Sequence, residues 1–239
     1  MSVELQFIPT LHARIAVLEY EPRRARNVTL VAGHGYSSSK HNLDFLCAFL
    51  SSHGFRVLSL DFPGHKLGAS GGRLDRFEDA LAAMAAVADH ALATHEAPCY
   101  TIGHSMGAMA ALRVTARDGR LAGAIAIATG WGRSQAIDAL QGVGAFDLRS
   151  SYVAGLTLPA LVSEAAQGYE EDLARLAGRP VLFVAADRDM MVSRASVQDL
   201  YDRAPQPKTL RTIESDHTYA GEHAKAAVLA WLNELHPRG

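Results

Sequence analysis

A serine hydroxyl becomes a useful nucleophile only when a neighbouring base takes its proton. The chain offers one serine in a setting built for this. Tyr100-Thr101-Ile102-Gly103-His104-Ser105-Met106-Gly107-Ala108 places a Gly-x-Ser-x-Gly directly after an apolar run and directly before an alanine-rich helical pattern. At a sharp strand-to-helix turn the two backbones nearly collide, so small residues are needed two positions before and two after the serine. Gly103 and Gly107 meet that need, and the Ser105 hydroxyl is expected to project above a sheet.

The base for such a serine is usually histidine, whose pKa lies near neutrality. Eleven histidines compete for the role. His217 follows the apolar run Thr209 to Ile213 and precedes the last helical pattern, so its loop returns to the sheet edge that carries Ser105. His104 adjoins the serine on a tight turn, where neighbouring side chains diverge, and is expected to point elsewhere. The base in turn needs a carboxylate to fix its tautomer and stabilise the imidazolium. The run Val181 to Ala186 leads into a loop with two acids, Asp187 and Asp189. Asp189 is taken as the partner, with some room left for Asp187. The chain order Ser105, Asp189, His217 suits groups hung from one parallel sheet.

The elements that must position these groups are legible as an alternation. Short runs rich in aliphatic residues, Val28 to Ala32, Phe55 to Leu60, Cys99 to Ile102, Leu121 to Ala128, Pro180 to Ala185 and Thr209 to Ile213, read as buried central strands. Between them lie helical patterns over Asn42 to Ser52, Arg76 to Thr94, Met106 to Arg117, Ala195 to Arg203 and Gly221 to Leu235. Val3 to Ile8 and Arg14 to Tyr20 alternate polar and apolar residues, as an amino-terminal antiparallel hairpin with one wet face would. The spacing predicts an α/β fold with a mostly parallel sheet of about eight strands and helices on both faces. A glycine-broken stretch over 130–178 interrupts the rhythm and is expected to form a small cap, part helical around Leu158 to Ala166, over the carboxyl ends of the strands.

These motifs together resemble the α/β-hydrolases, closest to the serine aminopeptidase and monoacylglycerol-lipase-like branch. The resemblance covers nearly the whole chain and rests on Gly33-His34-Gly35-Tyr36, Asp61-Phe62-Pro63-Gly64-His65, the Gly103 to Gly107 turn, Asp187-Arg188-Asp189 and His217. It implies the α/β-hydrolase fold and two backbone N–H donors for a tetrahedral oxyanion, those of Tyr36 and of Met106. The Tyr36 hydroxyl is placed within reach of a substrate. The family's acid stands in Gly-x-x-Asp with a valine three residues later, which aligns Asp189 and Val192; here Ala186 replaces the glycine. The family usually has glycine straight after the histidine equivalent to His65, whereas this chain carries Lys66 and Leu67 before Gly68, which bears on the shape of the site's rim.

Composition sets the bounds. With 239 residues, 49% of them hydrophobic and 20% charged, the chain reads as one ordinary packed domain. A formal net charge of -2 with scattered lysines and arginines gives no basic stripe for nucleic acid. The amino terminus has no signal-peptide pattern, and no apolar stretch is long enough to span a bilayer. Cys47 and Cys99 fall in no metal-binding spacing and are expected to be buried and reduced, which points to a cytoplasmic setting without stable membrane anchoring. His34, His41 and His65 with Asp61 lie on different loops with no ligand pair at i and i+4, so no metal is expected. The glycine-rich stretches match no nucleotide cradle, and no cofactor is expected. The expected activity is hydrolysis of a small-molecule ester or thioester through an acyl-enzyme; an amidase or peptidase, or a non-catalytic ligand receptor, are the alternatives. The stretch over 130–178 is short and carries Arg133, Asp138, Asp147, Arg149 and Glu164, with Phe146, Leu148, Tyr152, Leu156, Leu158, Leu161 and Val162 available to line a compact pocket for short to medium acyl chains.

Overall fold

The computed structural model of the protein describes residues 1–11, 13–95, 98–132 and 144–237, the side chains of 144–147 excepted. In chain order the elements are β1 (Ser2–Pro9), β2 (Arg14–Glu21), β3 (Thr29–Gly33), α1 (Asp44–Ser52), β4 (Arg56–Leu60), α2 (Phe77–Thr94), β5 (Cys99–His104), α3 (Met106–Arg117) and β6 (Gly123–Ile127). They continue as α4 (Gly144–Ser151), α5 (Leu158–Ala166), α6 (Tyr169–Ala174), β7 (Val181–Ala186), α7 (Arg194–Arg203), β8 (Lys208–Ile213), α8 (Ala220–His223) and α9 (Lys225–Leu235). A short 3-10 turn over Lys40–Leu43 precedes α1.

The strands form one eight-stranded sheet in the order β1-β2-β4-β3-β5-β6-β7-β8. The pairs β1/β2 and β2/β4 are antiparallel and all others parallel, as the hairpin followed by βαβ units predicts. Side chains along a strand alternate between faces, and two cores result. Val31, Leu58, Phe183 and Ala185 pack with α2, α3, α5 and α7 on one face. Leu30, Ala32, Ile102, Ile125, Leu182 and Val184 pack with α1 and α9 on the other. Cys99 belongs to the first core and Cys47 to the second, so the sheet separates two free thiols that burial pushes up to about 12.

Three expectations need correction. β8 is an edge strand and half exposed, because an aliphatic run shows that a strand forms but not whether a neighbour covers both sides. On β1 the alternation does not give one apolar buried face; Val3, Leu5 and Phe7 are exposed and only Ile8 is buried. The final helical pattern is jointed at Ala224 rather than continuous.

The segment between β6 and β7 also departs from a simple lid. Leu158, Leu161, Val162, Ala165, Tyr169, Leu173 and Leu176 join the first core, and Asp172 is buried in ion pairs with Arg113 (2.7 Å) and Arg117 (2.9 Å) of α3. Glu164 accepts the Phe77 N–H at 2.8 Å. Among the described residues of the segment, 152–156 are held to the loop after β4 by main-chain hydrogen bonds from Lys66 to Tyr152, Ala154 to Gly64, Leu74 to Ala154 and Leu156 to Leu74. Among the described residues no helix is long and apolar enough to cross a membrane.

Candidate active site

The chain moves outward from β3 to β4 and then crosses back to β5, so β3 and β5 are neighbours whose following loops diverge and leave a crevice at their carboxyl ends. Gly33 and Gly103 are register partners there. The turn after β5 is as tight as the sequence requires. A Cβ on Gly103 would lie 2.1 Å from the Gly107 backbone, and one on Gly107 would lie 2.1 Å from the Gly33 carbonyl. Ser105 sits between them at φ 53°, ψ −113°, a conformation L residues rarely adopt and one that costs about 1–3 kcal/mol. Its N–H donates to Ile127 O and its carbonyl caps the first turn of α3. The surrounding sheet and helix hold the strain in place.

The structure brings Ser105, His217 and Asp189 together. His217 Nε2 lies 3.0 Å from Ser105 Oγ, and His217 Nδ1 lies 2.7 Å from Asp189 Oδ2. Asp189 is almost wholly buried, and its other oxygen accepts the N–H groups of Met191 (2.8 Å) and Val192 (2.7 Å). Burial alone would raise its pKa, but the His217 hydrogen bond and charge and the two backbone donors together hold it below the usual carboxylate range. A carboxylate acceptor makes Nδ1 the donor and frees Nε2 to accept the serine proton, which is the arrangement needed for nucleophilic acyl transfer.

Asp187, the rival acid, is occupied elsewhere. Its Oδ1 accepts the Ser215 N–H at 2.9 Å, and Arg188 N donates to Ser215 O, so it tethers the loop that carries His217. His104 does not simply point away. Its Nε2 contacts the His217 carbonyl oxygen at 2.8 Å, and the two rings are 4.9 Å apart, so it props His217 from behind. That contact joins residues 113 positions apart and had no local signature in the sequence.

Gly35 and Tyr36 line the same pocket as Ser105. Met106, first residue of α3, has an N–H at a helix start, where no intrahelical carbonyl is available to it. The Tyr36 hydroxyl does not face a substrate; it donates to Leu156 O at 2.7 Å and joins this loop to the segment above it. The loop is pinned at both ends from the residues that follow β4. At its start His34 Nδ1 donates to Gly35 O and His34 Nε2 accepts the Phe62 N–H, which fixes the neutral tautomer. At its end Lys40 Nζ pairs with Asp61 Oδ2 at 2.6 Å, wholly out of solvent, while Lys40 N and Ala69 N also donate to that carboxylate. Two of the groups weighed as metal ligands, His34 and Asp61, are thus used as staples; His41 is exposed and pairs with Asp44. The Lys66 and Leu67 insertion lets the rim reach outward, and Leu67 lines the pocket.

The buried imidazoles make stability depend on pH. Burial, reinforced by His65, pushes His34 from 6.5 down to about 3, and burial pushes His65 down to about 4. Below about pH 6.5 the unfolded chain takes up protons that the folded chain refuses. Their contribution is therefore complete above that pH and is lost as pH falls from 6.5 toward 4, by up to about 1.4 kcal/mol per unit for each histidine. Melting temperatures measured from pH 7 to 4.5 should fall, and less steeply in His65→Gln. An equal slope in that variant would contradict the assignment.

The pocket over Ser105 has a volume of about 260 Å3. Tyr36, Ser37, Ser38, Ser39, Asn42, Leu67, His104, Arg149, Leu158, Met191, His217 and Thr218 line it with Gly35 and Ser105. Of the residues expected to form an acyl pocket, Leu158 borders it. Leu161 and Val162 are core, Leu156 packs against the core, and Leu148 and Tyr152 are exposed. Arg133 and Asp138 lie outside the described residues, as do the side chains of Phe146 and Asp147.

The sheet order, the glycine-flanked turn and the loops that follow β5, β7 and β8 define an α/β-hydrolase. A family model described as serine aminopeptidase, S33, matches residues 24–161, and the chain belongs to that family of hydrolases. The matched span includes Tyr36 and Ser105 and ends before Asp189 and His217. No curated protein matches the sequence. Among solved structures the chain is similar to Est1E from Butyrivibrio proteoclasticus with ferulic acid bound, at 18% identity and TM-score 0.79, covering 96% of this chain and 98% of that one. It is also similar to the esterase domain of a Rhodothermus marinus protein, at 19% identity and TM-score 0.73 over 98% and 99% of the two chains. The Pyrococcus furiosus esterase Pf2001 aligns at 18% identity and TM-score 0.71, over 98% and 90%. At such identities the likeness is one of fold.

Proposed function

We propose that the protein is a cytoplasmic serine hydrolase that cleaves a short- to medium-chain ester or thioester through an acyl-enzyme, as one domain with a small cap contributed from within residues 130–178. The reading rests on the unbroken contact from Ser105 Oγ through His217 to Asp189, at 3.0 and 2.7 Å. His217 Nε2 takes the Ser105 proton as Oγ attacks the carbonyl carbon, and Asp189 stabilises the imidazolium. The N–H groups of Tyr36 and Met106 receive the oxyanion. His217 then protonates the leaving alcohol or thiol, and water, deprotonated by the same imidazole, releases the acid. The chain's own residues supply every proton transfer, so the reading calls for no cofactor or metal.

The family description favours a second reading, an aminopeptidase with the same three residues. Such an enzyme must hold the free ammonium of its substrate, and a carboxylate is the usual partner for a desolvated ammonium. The described lining holds no carboxylate and does hold an arginine, which favours the ester. Labelling by a fluorophosphonate, with burst kinetics on p-nitrophenyl esters against aminoacyl anilides, tests the choice. Esters should give the burst; faster anilide turnover would favour the peptidase, and absence of labelling in folded protein would favour a receptor.

A pocket of about 260 Å3 also limits chain length. Each extra methylene contributes about 0.8 kcal/mol only while apolar wall remains to receive it. Across p-nitrophenyl esters from acetate to palmitate, kcat/KM should rise and then fall past medium length. A continuous rise to palmitate would show that the cap opens into a long groove.

A further inference from the structure

Arg149 is the one permanently charged side chain among the described residues lining the pocket, and its nearest polar partner is a hydroxyl. Its Nη1 lies 3.4 Å from Ser37 Oγ, a long contact for a guanidinium. No described carboxylate pairs with it, whereas Arg113 and Arg117 of α3 and Arg56 of β4 are each matched to acids. Ser38, next in the chain to Ser37, lines the same pocket. Ser39, Asn42 and Thr218 add further polar groups. Leu67, Leu158 and Met191 supply apolar wall in the same pocket.

We infer that this pocket selects esters carrying a carboxylate a few methylenes from the scissile bond, with Arg149 as the specificity-determining cation and the Ser37 hydroxyl as its accessory donor. The inference deepens the hydrolase reading and rests on it. A guanidinium matches a carboxylate in shape and charge, with two parallel N–H donors, and a hydroxyl beside it satisfies a remaining lone pair. A neutral acyl chain leaves Arg149 without a charged partner. The carboxylate can lie on either side of the ester bond, in a half-ester of a dicarboxylic acid or in the ester of a hydroxy acid, and the two sources call for separate substrates.

The test compares charged and neutral esters of matched length. Mono-p-nitrophenyl adipate is set against p-nitrophenyl hexanoate for the acyl side, and 6-acetoxyhexanoate against hexyl acetate, followed by acid release, for the alcohol side. One pair should show kcat/KM at least tenfold higher for the charged ester, mainly through KM, and the ratio should shrink at high salt because Arg149 is exposed at the rim. Arg149→Gln should cut that ratio at least tenfold, and Arg149→Lys should restore part of it. Taking the ratio within each variant cancels any general change in turnover. Ratios near one in both pairs, or a ratio unmoved by Arg149→Gln, overturn the inference while neutral-ester turnover leaves the hydrolase reading standing. Loss of neutral-ester turnover together with failure of fluorophosphonate labelling in the folded parent overturns the hydrolase reading, and this one with it.

Discussion

Ser105→Ala should abolish fluorophosphonate labelling and lower ester turnover on the order of 10^6-fold, with the melting temperature within a few degrees of the parent. The large kinetic loss follows from the proposed mechanism, in which His217 and Asp189 act only through the serine hydroxyl, so that removing that oxygen disables all three at once. Stability is spared for a different reason. The substitution leaves no cavity larger than one oxygen, and alanine meets the same φ of 53° that serine already tolerates. Ser105→Gly separates strain from chemistry. It should be equally inactive yet more stable than Ser105→Ala, since glycine reaches positive φ without a Cβ penalty. Turnover near the parent rate in either variant, with labelling retained, would remove Ser105 from the mechanism.

Asp189→Asn should cost on the order of 10^4 in kcat, against less than about threefold for Asp187→Asn. The difference lies in what each amide can present. At position 189 the N–H groups of Met191 and Val192 both demand the oxygen that now accepts them, so an asparagine must turn its NH2 toward His217 Nδ1. That forces Nδ1 to accept and places the proton on Nε2, where it blocks abstraction from Ser105. At position 187 the single strong contact is the Ser215 N–H, which an asparagine oxygen accepts equally well. Circular dichroism and labelling of both variants would show that neither loss is one of folding. If the two kinetic losses came out reversed, Asp187 would be the orienting acid.

Much of this was legible in the sequence because it is written in local patterns. Strand runs and helix periodicity located the sheet within a residue or two, and Gly103-x-Ser105-x-Gly107 located the tight turn between β5 and α3. The spacing from Asp189 to Val192 pointed to the acid that the structure places against His217; that valine N–H is one of the two donors on the Asp189 carboxylate. Contacts that depend on distant segments were not legible. Lys40 and Asp61, His104 and the His217 carbonyl, and the Tyr36 hydroxyl and Leu156 O each join residues with no shared periodicity. The edge position of β8 and the exposure of Val3, Leu5 and Phe7 depend on which neighbours are present, a property of the assembled sheet. Arg149 was visible only as a charge in an insertion, and its arrival beside Ser37 is decided by how α4 lies against the loop after β3.

The rim over the site is joined to the body by main-chain hydrogen bonds donated by Ala154 to Gly64 O and by Leu156 to Leu74 O, with Gly155 lying so close to Leu74 that a Cβ would come within 2.0 Å of its carbonyl. Backbone bonds of this kind do not depend on which side chains the segment carries. An exposed position such as Arg149 can therefore change without disturbing the frame, whereas Val153, Leu156 and Leu158 of the same stretch are also held by core packing. In evolutionary terms the main-chain frame separates shape from adjustable chemistry, so the charge at position 149 can be exchanged without rebuilding the rim.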